Sequence, residues 1–274
     1  MKTKSFTHLL LITMLVLPTF CLAQKSKTEK STSKDWKLVW KDDFKGKSLD
    51  TNSWKRCKVG NADWMRHMSP LDSLCQVKDG VLQLWGIPTP KGLNDSRPFI
   101  TGGVNSKGLR SIKNGRVEVR ARFGCATGFW PAIWLMPDNH LPWPSGGEID
   151  IMEHLNYDDI AYQTVHSAHT YLKHEPTTKQ GDTGAINKDD FNVYAVEVGE
   201  DEITFFINDK KTFSYPKLNP TPEGQYPFAD HPFYIILSAQ LGGEWVGKVK
   251  VEDLPVKMEI DYVKFYERKE SKKR

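Results

Sequence analysis

Apolar residues in this chain come in short runs bounded by turn signals, with no sustained helical period between them. Arg116-Val117-Glu118-Val119-Arg120-Ala121-Arg122-Phe123 alternates polar and apolar residues strictly, which predicts a strand with one buried and one wet face. Comparable runs occur at Val81–Trp85 after Asp79-Gly80, Gly115–Phe123, Ile133–Met136, Glu148–Glu153 and Ala161–Ser167. They continue at Tyr194–Val198, Ile203–Ile207 before Asn208-Asp209, Phe233–Ala239 and Met258–Tyr266. At least nine such runs, without a composition shift from Trp36 to Tyr266, predict one all-β domain, a jelly-roll β-sandwich of two curved antiparallel sheets over residues 35–267. Twenty Gly and sixteen Pro in 274 residues agree, because a helical bundle tolerates far fewer breakers. Residues 172–190 read as a long polar insertion.

The ends differ from this body. Lys2 and Lys4, the apolar run Leu9–Leu17, Pro18 and the small-residue spacing Cys21-Leu22-Ala23 predict a signal peptide over residues 1–23. The run is about half the ~20 residues of a spanning helix. Acylation of Cys21 is the alternative, against which stands the bulky Phe20. Residues 24–34 have no apolar side chain and read as a flexible linker, and 268–274 as a basic tail. The expected product is exported, periplasmic or at the cell surface, with no transmembrane segment.

Charge changes meaning once it is placed. The formal +4 sits in the ends, which carry +2 (1–23), +3 (24–34) and +3 (267–274), so residues 35–266 carry −4. A nucleic-acid partner is therefore not expected. Cys57, Cys75 and Cys125 lack any CxxC or Cys/His ligand spacing, which argues against structural zinc. A Cys57–Cys75 disulfide and three free thiols both remain open.

The segment with most chemistry is Gly146-Gly147-Glu148-Ile149-Asp150-Ile151-Met152-Glu153-His154. On a helix the three acids would point apart. On a strand Glu148 and Asp150 share a face, and Glu153 joins them if a β-bulge at Ile151-Met152 adds one residue. Crowded carboxyls raise the pKa of at least one of their number, which gives a protonated acid beside an ionised one near neutral pH. Retaining glycoside hydrolysis requires that arrangement, with two carboxyls ~5–5.5 Å apart. Glu148 is the expected nucleophile, Glu153 the general acid/base, and Asp150 the bridge that keeps their protonation states apart. An acidic surface strand fails to explain Ile149, Ile151 and Met152, and a calcium site would favour an Asn/Asp/Gly-rich loop.

These residues resemble the E-x-D-x-x-E signature of glycoside hydrolase family 16. The likeness extends over Gly115–Arg122, Gly128–Trp134, Trp143-Pro144, Leu237–Gly243 and Asp261–Tyr266, in order, and covers nearly all of residues 36–267. It implies endo-hydrolysis of a β-linked oligo- or polysaccharide lying across a concave sheet, by a protein expected to be monomeric and to need no cofactor for catalysis. Trp143, in a Pro-flanked loop before Glu148, is implied to lie near the cleaved sugar. Trp130, Trp64 and Trp245 are further platform candidates, while Trp36, Trp40, Trp54 and Trp85 read as packing residues. His166 is expected on the leaving-group side and His154 in a structural role. His166-x-x-His169 lacks an evident third zinc ligand. The resemblance also implies a structural calcium site, with Asp261 as the matching acid and Asp43 and the Gly80 carbonyl as partners.

The β-1,3-glucan-cleaving members' Asn-Glu-x-Gln-x-Tyr run is missing from Asn61–Ser69, and Gln240 stands where they have a small or aliphatic residue. The Ala62-Asp63-Trp64-x-Arg66-His67-Met68-Ser69 pattern resembles exported bacterial members that cut galactose-containing chains. The expected activity is thus an endo-β-galactosidase acting on poly-N-acetyllactosamine or mucin O-glycan chains. The alternatives are an endo-β-1,3(4)-glucanase and a non-catalytic carbohydrate-binding jelly roll.

Overall fold

The computed structural model describes residues 35–172 and 178–269. The signal peptide, the linker and most of the basic tail expected from the sequence lie outside the described residues. Sixteen strands follow in chain order: β1 (Trp36–Asp42), β2 (Lys55–Arg56), β3 (Cys75–Lys78), β4 (Val81–Pro88), β5 (Phe99–Thr101), β6 (Gly103–Asn105), β7 (Gly115–Phe123) and β8 (Phe129–Pro137). After these come β9 (Glu148–Glu153), β10 (Ile160–His166), β11 (Gly181–Ala185), β12 (Asn192–Val198), β13 (Glu202–Ile207), β14 (Lys210–Pro216), β15 (Phe233–Leu241) and β16 (Val256–Arg268). One short helix, α1 (Ala168–Tyr171), follows β10 and starts from a reciprocal Ser167/Thr170 capping box. Among the described residues no helix is long and apolar enough to cross a membrane.

The strands form two antiparallel sheets, as the alternation predicts. A nine-stranded sheet runs β14-β13-β12-β7-β16-β4-β3, with β1 added on β16 and β5 on β4. A seven-stranded sheet runs β11-β10-β9-β8-β15-β6-β2. Their facing sides supply one core, to which β7 gives Val117, Val119 and Ala121, β9 gives Ile149, Ile151 and Met152, and β15 gives Ile235, Leu237 and Ala239. Burying this apolar surface is the main force holding the sheets together.

Two findings depart from the sequence reading, and a third decides between alternatives it left open. The polar face of β7 is not wet throughout, since Arg116 and Glu118 are buried. Both are central in the nine-stranded sheet, where Arg116 pairs with Glu118 and Glu197 and Tyr262 donates to Glu118. Buried charges persist only when paired in this way. The polar stretch 172–190 contains edge strand β11, whose Gly181–Ala185 segment lacks alternation and is recruited by pairing with β10. Cys57 and Cys75 are buried free thiols rather than a disulfide. They sit under neighbouring glycines: an added Cβ at Gly103 would lie 3.3 Å from Cys57 Sγ, and one at Gly102 would lie 3.0 Å from Cys75 Sγ.

The outer face of the seven-stranded sheet carries a second apolar cluster, Ala132, Trp134, Tyr234 and Ile236, roofed by Cys57 and Met68 with Trp64 packed on it. This explains why all nine residues of β15 are buried. Trp64 meets Trp134 edge-on, with ring centroids 4.8 Å apart, a geometry worth about 0.5–1.5 kcal/mol beyond area burial.

The register around β9 shows the expected bulge. Tyr162 pairs with Glu153 and Thr164 with Asp150, so three steps on β9 face two on β10. On the other side Ile133 pairs with Met152 and Trp134 with Asp150, which leaves Ile151 as the extra residue. Its carbonyl accepts from the buried Gln163 Nε2 at 2.9 Å, and Thr212 donates in turn to Gln163 Oε1. Replacing Gln163 by Leu strands the Ile151 carbonyl in the core. Urea denaturation of Gln163→Leu should show a loss of about 1–3 kcal/mol; an unchanged midpoint would remove Gln163 from the account of the bulge.

Candidate active site

The bulge turns both Ile151 and Met152 into the core and returns Glu153 to the face of Glu148 and Asp150. Before the strand, Gly147 adopts φ +84°, and a Cβ there would lie 2.8 Å from the Phe228 ring, so this turn needs glycine. Along β10 the partners are His166, Thr164 and Tyr162, every second residue, and all face the same side as the acids.

Each glutamate has an indole. Trp143 Nε1 donates to Glu148 Oε2 at 2.6 Å, and Trp130 Nε1 donates to Glu153 Oε1 at 2.9 Å. Asp150 hydrogen-bonds with Glu148, and its Oδ2 lies 3.2 Å from His166 Nε2. Burial first, and then the neighbouring Asp150 charge, push the Glu148 carboxyl up to about 8 against the opposing His166 and Trp143. Asp150 is raised by burial and lowered by its hydrogen bond with Glu148. Glu153 is held well above the carboxylate range, first by burial, then by the Asp150 charge, with Trp130 opposing. Three carboxyls in one dry site therefore cannot all be ionised at neutral pH. A proton shared between Glu148 and Asp150 would, resting on Glu148, leave Asp150 as the anion beside His166 and, resting on Asp150, leave Glu148 as an anion steadied by the Trp143 N–H.

The aromatic candidates form two groups flanking the acids. Trp143, 45% exposed, packs on Tyr171 at 4.5 Å and on His166 at 6.0 Å at the Glu148 end. Trp130 meets Trp245 edge-on at 5.6 Å, and Trp245 meets Tyr162 at 5.1 Å, at the Glu153 end. Trp64 lies above Trp134, the register partner of Asp150. Tyr171, Tyr162 and Trp134 escaped the sequence reading. The period of two on β10 and the Trp130/Trp134 spacing could have found Tyr162 and Trp134, whereas Tyr171 on a one-turn helix has no such signal.

The placements of His166 and Gln240 add to the sequence expectations. His166 pairs opposite Glu148 and contacts Asp150, on the face that carries the acids. Gln240 is buried at 2% exposure; it pairs with Trp130, its Nε2 donates to Ser238 Oγ at 2.9 Å, and its Oε1 is buried without a hydrogen-bond partner among the described residues. It therefore underlies the cleft floor. His154 is buried and held by the Asp158 carbonyl at 2.8 Å, as a structural histidine should be.

Ligand atoms of Glu148, Asp150 and His166 lie within 4.8 Å of one another, the one such group among the described residues. A cation seated there would take up one of the Glu148 carboxylate oxygens. The residues of the expected calcium site are engaged otherwise: Asp43 with Lys41 and Lys45, and Asp261 with Arg120 at 2.6 Å.

A family profile described as Glycosyl hydrolases family 16 matches residues 76–264. A keratan-sulfate endo-1,4-beta-galactosidase of Sphingobacterium multivorum is 33% identical over 85% of this chain; the chain spans about half of that relative, 55% of its length. A beta-glucanase of Rhodothermus marinus is also 33% identical, over 84% of this chain and 85% of its own. The solved laminarinase of Rhodothermus marinus superposes with a TM-score of 0.76 at 31% identity, covering 86% of this chain and 98% of that one. A structure from work on endo-acting O-glycanases, which prominent members of the human gut microbiota express to initiate mucin breakdown, gives 0.72 at 32% identity, covering 84% and 98%.

The raised carboxyls also bear on stability. A carboxyl whose folded pKa exceeds its unfolded value binds its proton more tightly in the native state, so its contribution is fully present below the unfolded pKa and lost as pH rises toward the folded one. Glu148→Gln removes that loss. Its thermal midpoint should exceed wild type by about 2–4 °C at pH 8 and match it at pH 4; an equal shift at both values would contradict the electrostatic origin.

Proposed function

The chain belongs to glycosyl hydrolases family 16, and on that premise we propose that it is a retaining endo-glycosidase acting on internal β-1,4-galactosidic bonds of poly-N-acetyllactosamine or mucin O-glycan-type chains. The observation that carries the reaction type is the convergence of Glu148, Asp150 and Glu153 on one face across the Ile151 bulge. Glu153, held protonated at neutral pH, gives its proton to the glycosidic oxygen while a Glu148 carboxylate oxygen bonds to the anomeric carbon and the aglycone leaves. In that step the shared proton rests on Asp150, so Glu148 is the anion, aligned by the Trp143 N–H. Glu153, now ionised and stabilised by Trp130, takes a proton from water as the water oxygen breaks the Glu148 ester. Configuration is retained by two inversions.

The galactosidase reading is supported by the keratan-sulfate relative and the O-glycanase structure, and by the loop that carries Trp64 over Trp134 in place of the glucanase run. The apolar C–H face that galactose presents opposite its axial hydroxyl suits the exposed Trp143 at the Glu148 end. The laminarinase likeness favours β-1,3-glucan as the second reading. Products after incubation with poly-N-acetyllactosamine, desulfated keratan sulfate, mucin glycans, laminarin and barley β-glucan decide between them. Oligosaccharides from the galactose-containing chains are expected, and release from the glucans alone would overturn the preference.

Glu148→Ala should lower kcat by at least about a thousandfold with folding retained, because the covalent step is lost; near-normal turnover would remove Glu148 from the nucleophile role. The pH profile of kcat/KM should be a bell. Its acidic limb follows protonation of the Glu148/Asp150 pair and its basic limb follows loss of the Glu153 proton. Since all three are raised, the optimum should lie above the ordinary carboxylate range, and an optimum near pH 4 would contradict the desolvated cluster.

A further inference from the structure

The outer face of the seven-stranded sheet can be followed by register from the acids to its far edge. Asp150 pairs with Trp134, Trp134 with Ile236, Ile236 with Asn105 and Asn105 with Lys55. At ~4.8 Å per strand, four steps carry this row roughly 19 Å from the acids to β2. Trp134 and Ile236 are buried beneath the segment that carries Cys57, Trp64 and Met68, so a chain following this row passes over Trp64; the row ends at a cavity of about 610 Å³ lined by Lys55, Arg56, Lys58, Trp64, Met65 and Asn105, among others, and no carboxylate lines it. Lys107 extends the basic ground: its ammonium lies 5.5 Å over the Tyr234 ring, which belongs to the cleft floor, and its carbonyl accepts from Lys55 Nζ at 2.8 Å. Lys58 has no ion-pair partner among the described residues. Arg56 pairs with the exposed Asp72 at 3.1 Å, yet its Nε is buried without a hydrogen-bond partner among the described residues. All this stands on a body whose net charge is −4.

The geometry points to an anion subsite at the β2 end of the cleft, which takes a sulfate ester carried by the glycan several sugar units from the bond being cut. This deepens the proposed function and rests on it for the cleft's role. A neutral chain has no use for cations gathered at one end of its path. Sulfate fits better than carboxylate because the Arg56 fork, which would clasp a planar carboxylate with two parallel bonds, is already engaged by Asp72. What remains are lysine point charges, suited to an oxyanion whose charge is spread over three oxygens. Bound there, the ester would also fix which way the chain lies across the acids.

The test uses the full chain with Glu148→Gln, so that bound glycans are not cleaved. Calorimetry at low salt compares keratan-sulfate oligosaccharides with the same chains desulfated, and laminarin sulfate with laminarin. On the backbone the protein binds, the sulfated form should bind about tenfold tighter, as expected for two exposed charge pairs, and the advantage should shrink as salt rises. Adding Lys55→Gln and Lys58→Gln should reduce it to about twofold or less. No advantage on either backbone, an advantage that survives loss of the lysines, or binding of neither backbone would overturn the subsite. An equal, lysine-dependent gain from sialylated poly-N-acetyllactosamine would overturn the assignment to sulfate. Wild-type hydrolysis of the desulfated chain is read separately: if that chain stays intact while the lysine-dependent advantage holds, the galactosidase reading falls and the subsite stands.

Discussion

One inserted residue governs this structure. Without Ile151 as the unpaired residue of β9, period two would send Glu153 into the core among Ile149 and Val165 and leave Glu148 and Asp150 without their third partner. The insertion frees a backbone carbonyl inside the sandwich, and the protein meets that cost with Gln163, whose amide is itself held by Thr212. The chemistry on one face thus depends on a polar contact on the other.

The same burial that positions the acids charges them with their roles. Desolvation raises all three, but their partners differ: Trp143 steadies Glu148, Trp130 steadies Glu153, and Asp150 is left between Glu148 and His166. Aromatic side chains serve both purposes here, because an indole gives one hydrogen bond to a carboxylate while its ring excludes water. The sheet extends this asymmetry. Toward β2 the floor becomes apolar through Trp134, Tyr234 and Ile236, then basic at Lys55 and Lys58. A glycan leaving the acids in this direction would pass over Trp64, which covers those rings, before reaching the lysines.

Much of this was legible in the sequence because alternation is a local property. β7 and β9 match their expected bounds, and the bulge followed from parity alone, since three acids with that spacing cannot otherwise share a face. What escaped was set by tertiary pairing. β2, β5, β6 and β11 are two to five residues long, and only a neighbouring strand makes them strands. Arg116 reads as wet until Glu118 and Glu197 close over it. His166 could be assigned to the face of the acids, but its contact with Asp150 depends on the inter-strand register. Gln240 has the polarity of a ligand-binding residue, and only the floor built by Trp130 and Ser238 shows that it is buried.

The central claim is that the bulge delivers Glu148 as a nucleophile with Glu153 as its acid. Mass spectrometry of a slowed Glu153→Gln enzyme, quenched during turnover of an activated aryl glycoside, tests it directly. The account predicts a glycosyl ester on the Glu148 peptide and a product of retained anomeric configuration. An ester on another residue, or an inverted product with no adduct, would contradict it.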